Sequence, residues 1–591
     1  MVMRVSGGVV VSFVLLVGAG GCAEGEIYGT PADGGGDSGS GVGSSNGAGN
    51  SNGSGGNGRG GAPGNAGSAA GGATTAPPVP LPQGVGAAEL IPARIRRLTN
   101  AEYDATVRVL TGTQVAPAQS FAPDLRQSDF TFNDAQDVGP VLAKQLSAAA
   151  ATLAAEVKAN VQNRAPCANP AQAKTCAQSF IDKFGAQTYR RPLSAEERAA
   201  LLTVYDTGAE GATYADGIEL VVNALLQSAG FLYLTEIGDK PPGTASIGLT
   251  PHELASSLSY LLLGSPPDQQ LIDAAVAGKL DTPEGRATEM QRLIGTPVTK
   301  EKAGRLVGVL REWLGIDRIG QTAKDASVYG EYQNQKSAFE RESNEFLSAV
   351  LTQSTGTVGE LLGADWTQAE GNLATFYKGT GQGRVTLPKR RGVLNQGAFL
   401  SVYAHASESG PVLRGVAIAR RIACLEVPSP TTLNINVVPP PPDPAQTTRQ
   451  RFSVHAADAA CAGCHARIDP FGFSFEQYDG MGAFRLEEGK SPNPVHKVDS
   501  ATTVAVGADF DGSYADSDEL AVALSKSASV RQCFAKHMFR AAAARSDATV
   551  KASEDAFMKA WQALPAAEQG NILQTVMTFV KSPLFQYRRA E

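Results

Sequence analysis

The sequence lacks the charge pattern and the apolar segments of several large protein classes. Its formal net charge is −7, so no basic field is available to attract nucleic acid or an anionic membrane surface. After Val9–Gly18, no apolar run approaches the ~20 residues that span a bilayer. Alternating apolar and polar residues are also scarce, and Thr502–Gly512 is the best of a few short strand patterns. We therefore expect a mainly α protein that binds no nucleic acid and contacts a membrane only through an anchor.

Familiar catalytic arrangements are missing as well. The sequence has no glycine-rich phosphate loop, no Ser-His-Asp spacing and no second cluster of metal ligands. Glu342, Glu345 and Asp365 are candidate catalytic carboxylates, although a solvated helix face is the favoured interpretation. The acidic segment 509–519 lacks the spacing of a calcium loop, and a turn is the better interpretation. The basic run 389–391 is interpreted as a solvated turn, so the sequence leaves open whether the protein is an enzyme.

The N-terminus has the form of an export signal. Arg4 supplies a positive charge, Val9–Gly18 an apolar core, and Ala19–Cys22 (AGGC) a cleavage site of small residues. The cysteine resembles that of a bacterial lipobox and would carry the lipid anchor, although Ala19 stands where leucine is usual. Residues 34–75 are almost entirely Gly, Ser, Asn and Ala, which predicts a flexible tether. The predicted location is the outer membrane or cell surface, and otherwise the periplasm.

The segment Cys461–His465 (CAGCH) carries the strongest chemical signal. In C-x-x-C-H the two thiols bind the vinyl groups of a haem, and the adjacent histidine binds its iron. A zinc site needs four ligands, and no second ligand pair exists here. A thioredoxin-like disulfide would need a βαβ context, which this region lacks. The sequence therefore predicts covalent haem c on Cys461 and Cys464, with His465 as proximal ligand. The helix that carries the motif is expected to end at Asp469-Pro470.

The second axial ligand is left open by the sequence. Met481 lies close after the motif, and a Met/His pair would raise the reduction potential. His455 lies six residues before Cys461 and is the other nearby candidate. More distant candidates are His405, His496, His537 and Met538. A vacant sixth position would instead favour small-ligand or peroxide chemistry.

The remaining cysteines suggest two disulfides. With Cys22 assigned to the anchor and two cysteines to the motif, four are left in an oxidising compartment, where free thiols are disfavoured. The short step from Cys167 to Cys176 favours a local bond. Cys424 and Cys533 then remain as the second pair, with free buried thiols as the alternative for both.

Several segments together resemble the multidomain planctomycete- and myxobacterial-type surface cytochrome family. Three of them are similar to its haem-bearing part: Pro388–Cys424, Cys461–Arg485 and Val530–Arg545. Four others are similar to its helical modules of unknown function, in order: Arg94–Gly112, Phe184–Tyr205, Leu249–Gly315 and Ile572–Arg588. Ser257 departs from the arginine usual in the family, and Leu263 from tryptophan. The resemblance implies a haem c protein at the cell surface and no settled reaction.

These observations predict a mainly α, multi-module protein with a C-terminal cytochrome-c-like domain and few short strands. The predicted division is a signal peptide at 1–21, an anchored linker at 22–87, helical modules at 88–160, 165–240 and 246–380, a haem c-binding module at 387–500 and a C-terminal helical module at 501–591. We expect a mono-haem electron carrier whose partner is a redox protein or an extracellular acceptor. The alternatives are a haem-dependent oxidative enzyme with an extracellular substrate, and a surface binding protein with a structural or sensory haem.

Overall fold

The computed structural model confirms a mainly helical protein with few short strands. It describes residues 81, 84–127, 129–239, 244–428, 432, 440–441, 443–457, 459–489, 493–545 and 548–590. Cys22, the signal peptide and the linker up to residue 80 lie outside the described residues, and the predictions on them are untested. In the part described, no helix has both the length and the apolar character needed to cross a membrane.

The helices follow one another in chain order. The first are α1 (Asn100–Thr111), α2 (Pro140–Ala159), α3 (Val161–Arg164), α4 (Ala173–Phe180), α5 (Ala186–Tyr189), α6 (Ala195–Ala209), α7 (Tyr214–Leu226) and α8 (Ala229–Leu232). Next come α9 (Pro251–Leu263), α10 (Gln269–Val276), α11 (Pro283–Ile294), α12 (Lys300–Leu314), α13 (Tyr332–Gln353), α14 (Val358–Gly363), α15 (Leu373–Phe376) and α16 (Gly397–Val402). The last are α17 (Pro411–Ala417), α18 (Thr448–Phe452), α19 (Ala459–Phe473), α20 (Ser517–Lys526), α21 (Ala528–Ala543), α22 (Lys551–Gln562), α23 (Ile572–Lys581) and α24 (Pro583–Gln586).

Local side-chain hydrogen bonds fix several helix starts. Thr99, Ser194 and Thr250 each form the predicted capping box with the glutamate three residues later, at the starts of α1, α6 and α9. In each box the hydroxyl accepts from a backbone N–H of the first turn, while the glutamate accepts from the N–H of the cap residue. These signals depend only on neighbouring residues, and so they can be read directly from the sequence.

The strands of the described residues form two-stranded antiparallel pairs, and two of these pairs join distant parts of the chain. Their bounds are β1 (Arg94–Arg97), β2 (Tyr233–Glu236), β3 (Ser246–Gly248), β4 (Thr367–Ala369), β5 (Gly383–Val385), β6 (Glu487–Glu488), β7 (His496–Lys497), β8 (Thr502–Val504), β9 (Gly512–Tyr514) and β10 (Tyr587–Arg589). The pairs are β1 with β2, β3 with β10, β4 with β5, β6 with β7, and β8 with β9. The predicted strand Thr502–Gly512 is thus a hairpin, because its middle forms the turn between β8 and β9.

Two apolar cores lie within one compact unit, residues 76–591. One core is built by residues between Leu98 and Leu234 and includes Tyr260 of α9. The other gathers residues from Leu90 to Tyr587, so it contains both early and late parts of the chain. Tyr260 connects the two regions, since its hydroxyl is hydrogen-bonded to Thr106 of α1 at 2.9 Å.

Candidate functional site

Helix α19 presents the predicted haem ligands. Cys461, Cys464 and His465 occupy positions i, i+3 and i+4, which lie on one face of a helix. Both cysteines are free thiols and half-buried, and the His465 side chain is 14% exposed. Two sulfur atoms and one imidazole therefore lie on one face of α19, where a ligand outside the helix can reach them.

A buried carboxylate orients the histidine. The His465 Nδ1 lies 2.8 Å from Oδ1 of Asp469, one turn further along α19, and Asp469 is 6% exposed. In the tautomer with its proton on Nδ1, the ring donates this hydrogen bond to Asp469 and leaves the lone pair of Nε2 available to a metal. Histidines that bind metals are held in this way by a partner on the other ring nitrogen. This role of Asp469 was not predicted, although the i, i+4 spacing is visible in the sequence.

Helix α19 does not end at Asp469-Pro470, so that prediction was wrong. The helix continues through Pro470 to Phe473. Proline removes one backbone hydrogen bond but does not prevent a helix whose other residues are firmly packed. Ile468 and Phe471 are 3% and 0% exposed, and this burial on both sides of the proline maintains the helical turn.

Helix α19 packs against α17 at very close range. A Cβ added at Gly415 of α17 would lie 2.3 Å from the carbonyl oxygen of Ile468. A Cβ added at Gly472 of α19 would lie 1.8 Å from the carbonyl oxygen of Pro411. These contacts show that the two helices run antiparallel and that only glycine fits at both positions.

Arg414 fixes the loop that follows α19. Its guanidinium is fully buried and donates to the carbonyl oxygens of Phe475, Tyr478 and Asp479, at 2.7–3.0 Å. Burial lowers the pKa of Arg414 to about 10, which leaves it charged at neutral pH. The single charged side chain therefore satisfies backbone oxygens that would otherwise be buried without a partner.

Met481 lies in this loop, beyond the C-terminal end of α19. It is 6% exposed, and its backbone N–H donates to Asp479 Oδ1 at 3.0 Å. The next residue, Gly482, packs against Gly397 and Leu400 of α16. Met481 thus belongs to the apolar core at this end of the helix, and its role as a distal ligand stays a prediction.

The other candidate axial ligands are spread over the structure. His455 is in the short helical segment Ser453–Ala457, and its side chain lies outside the described residues. The His405 ring stacks on Phe452 with centroids 6.0 Å apart, and His496 Nε2 is 3.0 Å from the carbonyl oxygen of Pro444. His537 is 5% exposed, and burial lowers its pKa to about 4.

The remaining four cysteines form disulfides. Cys167 is bonded to Cys176, and Cys424 to Cys533. These are the two pairs that the cysteine positions in the sequence suggest. Cys461 and Cys464 are the free cysteines of the part of the chain that is described. The thiols of the motif therefore stand apart chemically from the others.

The donor set fits a covalent haem better than a zinc ion. The atoms that bind one metal ion lie close together. Among the described residues, the group whose possible ligand atoms lie within 4.8 Å of one another consists of Cys424, Cys533 and His537. Cys461, Cys464 and His465 do not converge in this way, and tetrahedral zinc would require them to do so. Two separate thiols with an adjacent imidazole match the attachment points of haem c.

Two interpretations of charged residues near this region were wrong. The run Lys389–Arg391 is not a solvated turn, because Arg390 is 1% exposed and its guanidinium lies 3.7 Å from the centroid of the Tyr377 ring. It also donates to the carbonyl oxygen of Gly482 at 2.6 Å. Glu342 is not on a solvated helix face, because it is 1% exposed. Both side chains are part of the core that supports the loop after α19.

Glu342 accepts hydrogen bonds from two hydroxyls. The Tyr377 hydroxyl lies 2.5 Å from one oxygen, and the Thr367 hydroxyl lies 2.7 Å from the other. Burial raises the pKa of Glu342 to about 7. By contrast, Glu345 forms an ion pair with Lys300 at the surface, and Asp365 is exposed.

Carboxylates of the acidic segment 509–519 accept hydrogen bonds from backbone N–H groups. Asp511 accepts from the N–H groups of Val506 and Gly507 at 2.8–3.1 Å, and Asp516 caps α20. Asp509 accepts from the Ser527 hydroxyl at 2.6 Å. This arrangement agrees with the interpretation as a turn.

Comparisons with known proteins assign family models to most of the compact unit. In chain order they are PSD3, protein of unknown function (DUF1587), at 96–159; PSD5 (DUF1595) at 176–236; PSD4 (DUF1592) at 249–378; and PSCyt3 (DUF1588) at 390–488. Neither the curated proteins nor the solved structures returned a match. The PSCyt3 match includes α17, α19 and the loop with Met481. Because the four models follow one another in this order, the chain belongs to the planctomycete-type surface cytochrome family.

Proposed function

We propose that the protein is an exported, lipid-anchored mono-haem c-type cytochrome that transfers electrons at the cell surface or in the periplasm. The observation that carries this proposal is the face of α19, where two free thiols and an oriented imidazole lie together. The PSCyt3 match over residues 390–488 supports a cytochrome-like protein. Cys22 would hold the lipid, and the linker would place the folded part at a distance from the membrane.

Each residue of the face has a defined part in this proposal. Cys461 and Cys464 would carry the two thioether bonds, and His465 would bind the iron through Nε2. Asp469 holds the imidazole in the required tautomer by accepting from Nδ1. Bound haem would supply a one-electron Fe(III)/Fe(II) couple. Met481 and His455 are the proposed candidates for the second axial position, and the partner would be a redox protein or an extracellular acceptor.

The first test is covalent attachment. The full chain, expressed together with a cytochrome c maturation system, should retain haem after denaturation and show a pyridine haemochrome spectrum. In Cys464→Ser the α band should shift to longer wavelength, because one vinyl group remains unsaturated. The matched control is the double variant Cys167→Ser/Cys176→Ser, which removes a cysteine pair elsewhere and should leave the spectrum unchanged. A chain that carries no haem under these conditions contradicts the proposal.

The second test separates electron transfer from the alternatives. A six-coordinate, low-spin spectrum of the reduced protein that carbon monoxide does not change would support electron transfer. In that case Met481→Ala should convert the spectrum to high spin if Met481 is the distal ligand. A high-spin spectrum with rapid carbon monoxide binding would favour oxidative catalysis or sensing.

A further inference from the structure

A buried histidine lies beside the Cys424–Cys533 disulfide. One ring nitrogen of His537 and the two sulfur atoms lie within 4.8 Å of one another. His537 is 5% exposed, and the backbone of Arg420 lies near its ring. Even so, neither Nδ1 nor Nε2 makes a hydrogen bond of normal geometry to a described residue. A buried polar group without a partner is costly, and few persist in native proteins without a functional reason.

Two separate elements bring the three residues together. Cys533 and His537 are at positions i and i+4 of α21, so their side chains lie on the same face, one turn apart. Cys424 follows the helical segment Ile418–Ile422 that continues α17. Its backbone is left-handed, with a φ of 49°, which is typical of the residue that ends a helix. The cluster therefore has two side chains from one helix and a third from the end of another.

The His537 ring is uncharged, and its charged neighbours are paired with one another. Burial lowers the pKa of His537 to about 4, so at pH 7 one ring nitrogen carries a free lone pair. Arg421 forms an ion pair with Asp129, and Arg540 with Glu554 at 2.8 Å. The lone pair beside the sulfur atoms is therefore available to a metal ion.

We propose that a dithiol reductant converts this cluster from a disulfide into a zinc site, with Cys424, Cys533 and His537 as ligands. Thiolate and imidazole are ligands that Zn²⁺ prefers, and zinc sites with three protein ligands keep a fourth position for water. In tetrahedral zinc, neighbouring sulfur and nitrogen ligands lie about 3.5–3.8 Å apart. The three residues are close enough to bind one ion once the S–S bond is open.

The conversion is a two-electron reduction followed by the exchange of two protons for one metal ion. A thiolate of the reductant attacks Sγ of Cys424, which is half-buried, whereas Cys533 is 2% exposed. The S–S bond breaks, and Cys533 leaves as a thiolate that takes up a proton. The second thiol of the reductant then displaces Cys424 and closes the disulfide of the reductant. Zn²⁺ releases both thiol protons when it binds the sulfur atoms, and His537 contributes its lone pair.

Zinc would join the same two elements after the disulfide is lost. Cys424 and Cys533 are 109 residues apart, and the C-x-x-C-H motif lies in the loop between them. A metal ion bound to both cysteines would close this loop in the reduced protein, as the disulfide closes it in the oxidised protein. Zinc should therefore raise the thermal stability of the reduced chain and leave that of the oxidised chain unchanged.

The test uses the full chain with Cys461→Ser/Cys464→Ser, so that zinc on the free thiols of the motif is not counted. The protein is reduced with dithiothreitol, freed of it by gel filtration under argon and then loaded with zinc. Elemental analysis should find one zinc ion per reduced chain and none in the oxidised chain. Cobalt(II) in place of zinc should give sulfur-to-metal charge-transfer absorption. Equal zinc content in the two forms, or none in the reduced form, would overturn the proposal.

Variants of this chain identify the ligands. His537→Leu removes the imidazole at similar volume and should lower the zinc affinity of the reduced chain at least ~10-fold. His252→Leu, at a half-buried histidine of α9, is the matched control and should leave the affinity unchanged. Cys167→Ser/Cys176→Ser, which removes the other disulfide, should also leave it unchanged. Unchanged affinity in His537→Leu contradicts the proposed ligand set.

Thermal unfolding separates a ligand from a merely structural residue. Because both nitrogens of His537 are unpaired, His537→Leu should not lower the melting temperature of the oxidised chain. In the reduced chain, zinc should raise the melting temperature when His537 is present and not in His537→Leu. If the reduced chain unfolds without metal, zinc should refold it, as followed by circular dichroism. Failure to refold would likewise overturn the proposal.

Discussion

At the scale of single residues, Asp469 is the side chain whose effect on the proposed haem is most direct. A carboxylate that accepts from Nδ1 makes the imidazole a stronger donor, which stabilises ferric over ferrous iron. Asp469→Asn keeps the shape but removes the charge. We expect the reduction potential of the haem-loaded protein to rise by on the order of tens of millivolts, measured by spectroelectrochemistry.

The control for Asp469→Asn is a charge change on a nearby exposed carboxylate. The Asp499 side chain is 66% exposed and pairs with Arg449. Asp499→Asn should leave the potential almost unchanged, because solvent screens its charge. A potential that does not differ between Asp469→Asn and the native protein would remove Asp469 from any positioning role.

Glu342 gives the protein a pH-dependent contribution to stability. Its pKa is raised from the ordinary value of 4.5 to about 7. Between these values the folded state holds a proton that the unfolded state has lost, so this contribution is fully present below pH 4.5 and is lost as the pH rises through 7. The full change is about 3 kcal/mol.

Urea unfolding at pH 5 and pH 8 checks this effect. Glutamine cannot ionise, so the free energy of unfolding of Glu342→Gln should fall less from pH 5 to pH 8 than that of the native protein. The two decreases should differ by up to about 3 kcal/mol. Glu345→Gln, on the same helix but paired with Lys300 at the surface, should behave like the native protein. Equal pH dependence in Glu342→Gln and the native chain would show that Glu342 is ionised throughout.

The burial of Glu342 and Arg390 was beyond prediction from the sequence for a physical reason. Periodicity and composition assign a charged residue to a solvated surface, because that is its usual environment. In the core, Glu342 accepts hydrogen bonds from the hydroxyls of Thr367 and Tyr377. The Arg390 guanidinium lies over the rings of Tyr377 and Tyr478. These partners belong to other elements, and only the tertiary structure brings them together.

At the scale of elements, the helix starts were predictable and the course of α19 was only partly so. The boxes at Thr99, Ser194 and Thr250 need no tertiary contact, and all three are confirmed. The C-x-x-C-H spacing likewise identifies one helical face. The continuation of α19 through Pro470 depends on its packing against α17, which no local pattern of the sequence reveals.

The crossing of α17 and α19 should not tolerate a larger residue. Gly415→Ala and Gly472→Ala would each push a methyl group against a backbone carbonyl, at 2.3 and 1.8 Å. We expect each to lower the free energy of unfolding by about 1–3 kcal/mol, measured by denaturant unfolding.

Gly308→Ala is the matched control for these two variants. Gly308 lies inside α12, and a Cβ there would meet no atom within 4 Å. Because alanine is the better helix former, this change should stabilise the protein by up to about 1 kcal/mol. Destabilisation of similar size in all three variants would argue against a specific close contact between α17 and α19.

At the scale of the whole molecule, the Cys424–Cys533 bond closes a long loop around the motif. The two cysteines are 109 residues apart, whereas Cys167 and Cys176 are nine apart. In the chain-entropy description the long loop contributes about 5 kcal/mol and the short one about 2.5 kcal/mol. Cys424→Ser/Cys533→Ser should therefore destabilise the protein about twice as much as Cys167→Ser/Cys176→Ser in denaturant unfolding.

The reverse order of destabilisation would show that strain or residual structure outweighs loop length. Both double variants leave Cys461 and Cys464 in place, so haem attachment reports separately on whether the motif still folds. The pairing itself was accessible from the sequence, because the anchor and the motif account for three of the seven cysteines and spacing favours one local bond. The position of the Cys424–Cys533 disulfide relative to α17 and α21 could not be predicted from the sequence.

The pairing of early and late strands sets an order in time. Pro92, just before β1, forms a β-bridge with Arg589 of β10. Arg94 of β1 and Arg588 of β10 both donate hydrogen bonds to Glu236. A ribosome that adds about 5–20 residues per second makes β10 many seconds after Cys461 and Cys464. During that interval the late wall of the compact unit does not yet exist. The compact unit can therefore close only after β10 has been made, because β3 has no strand partner before then.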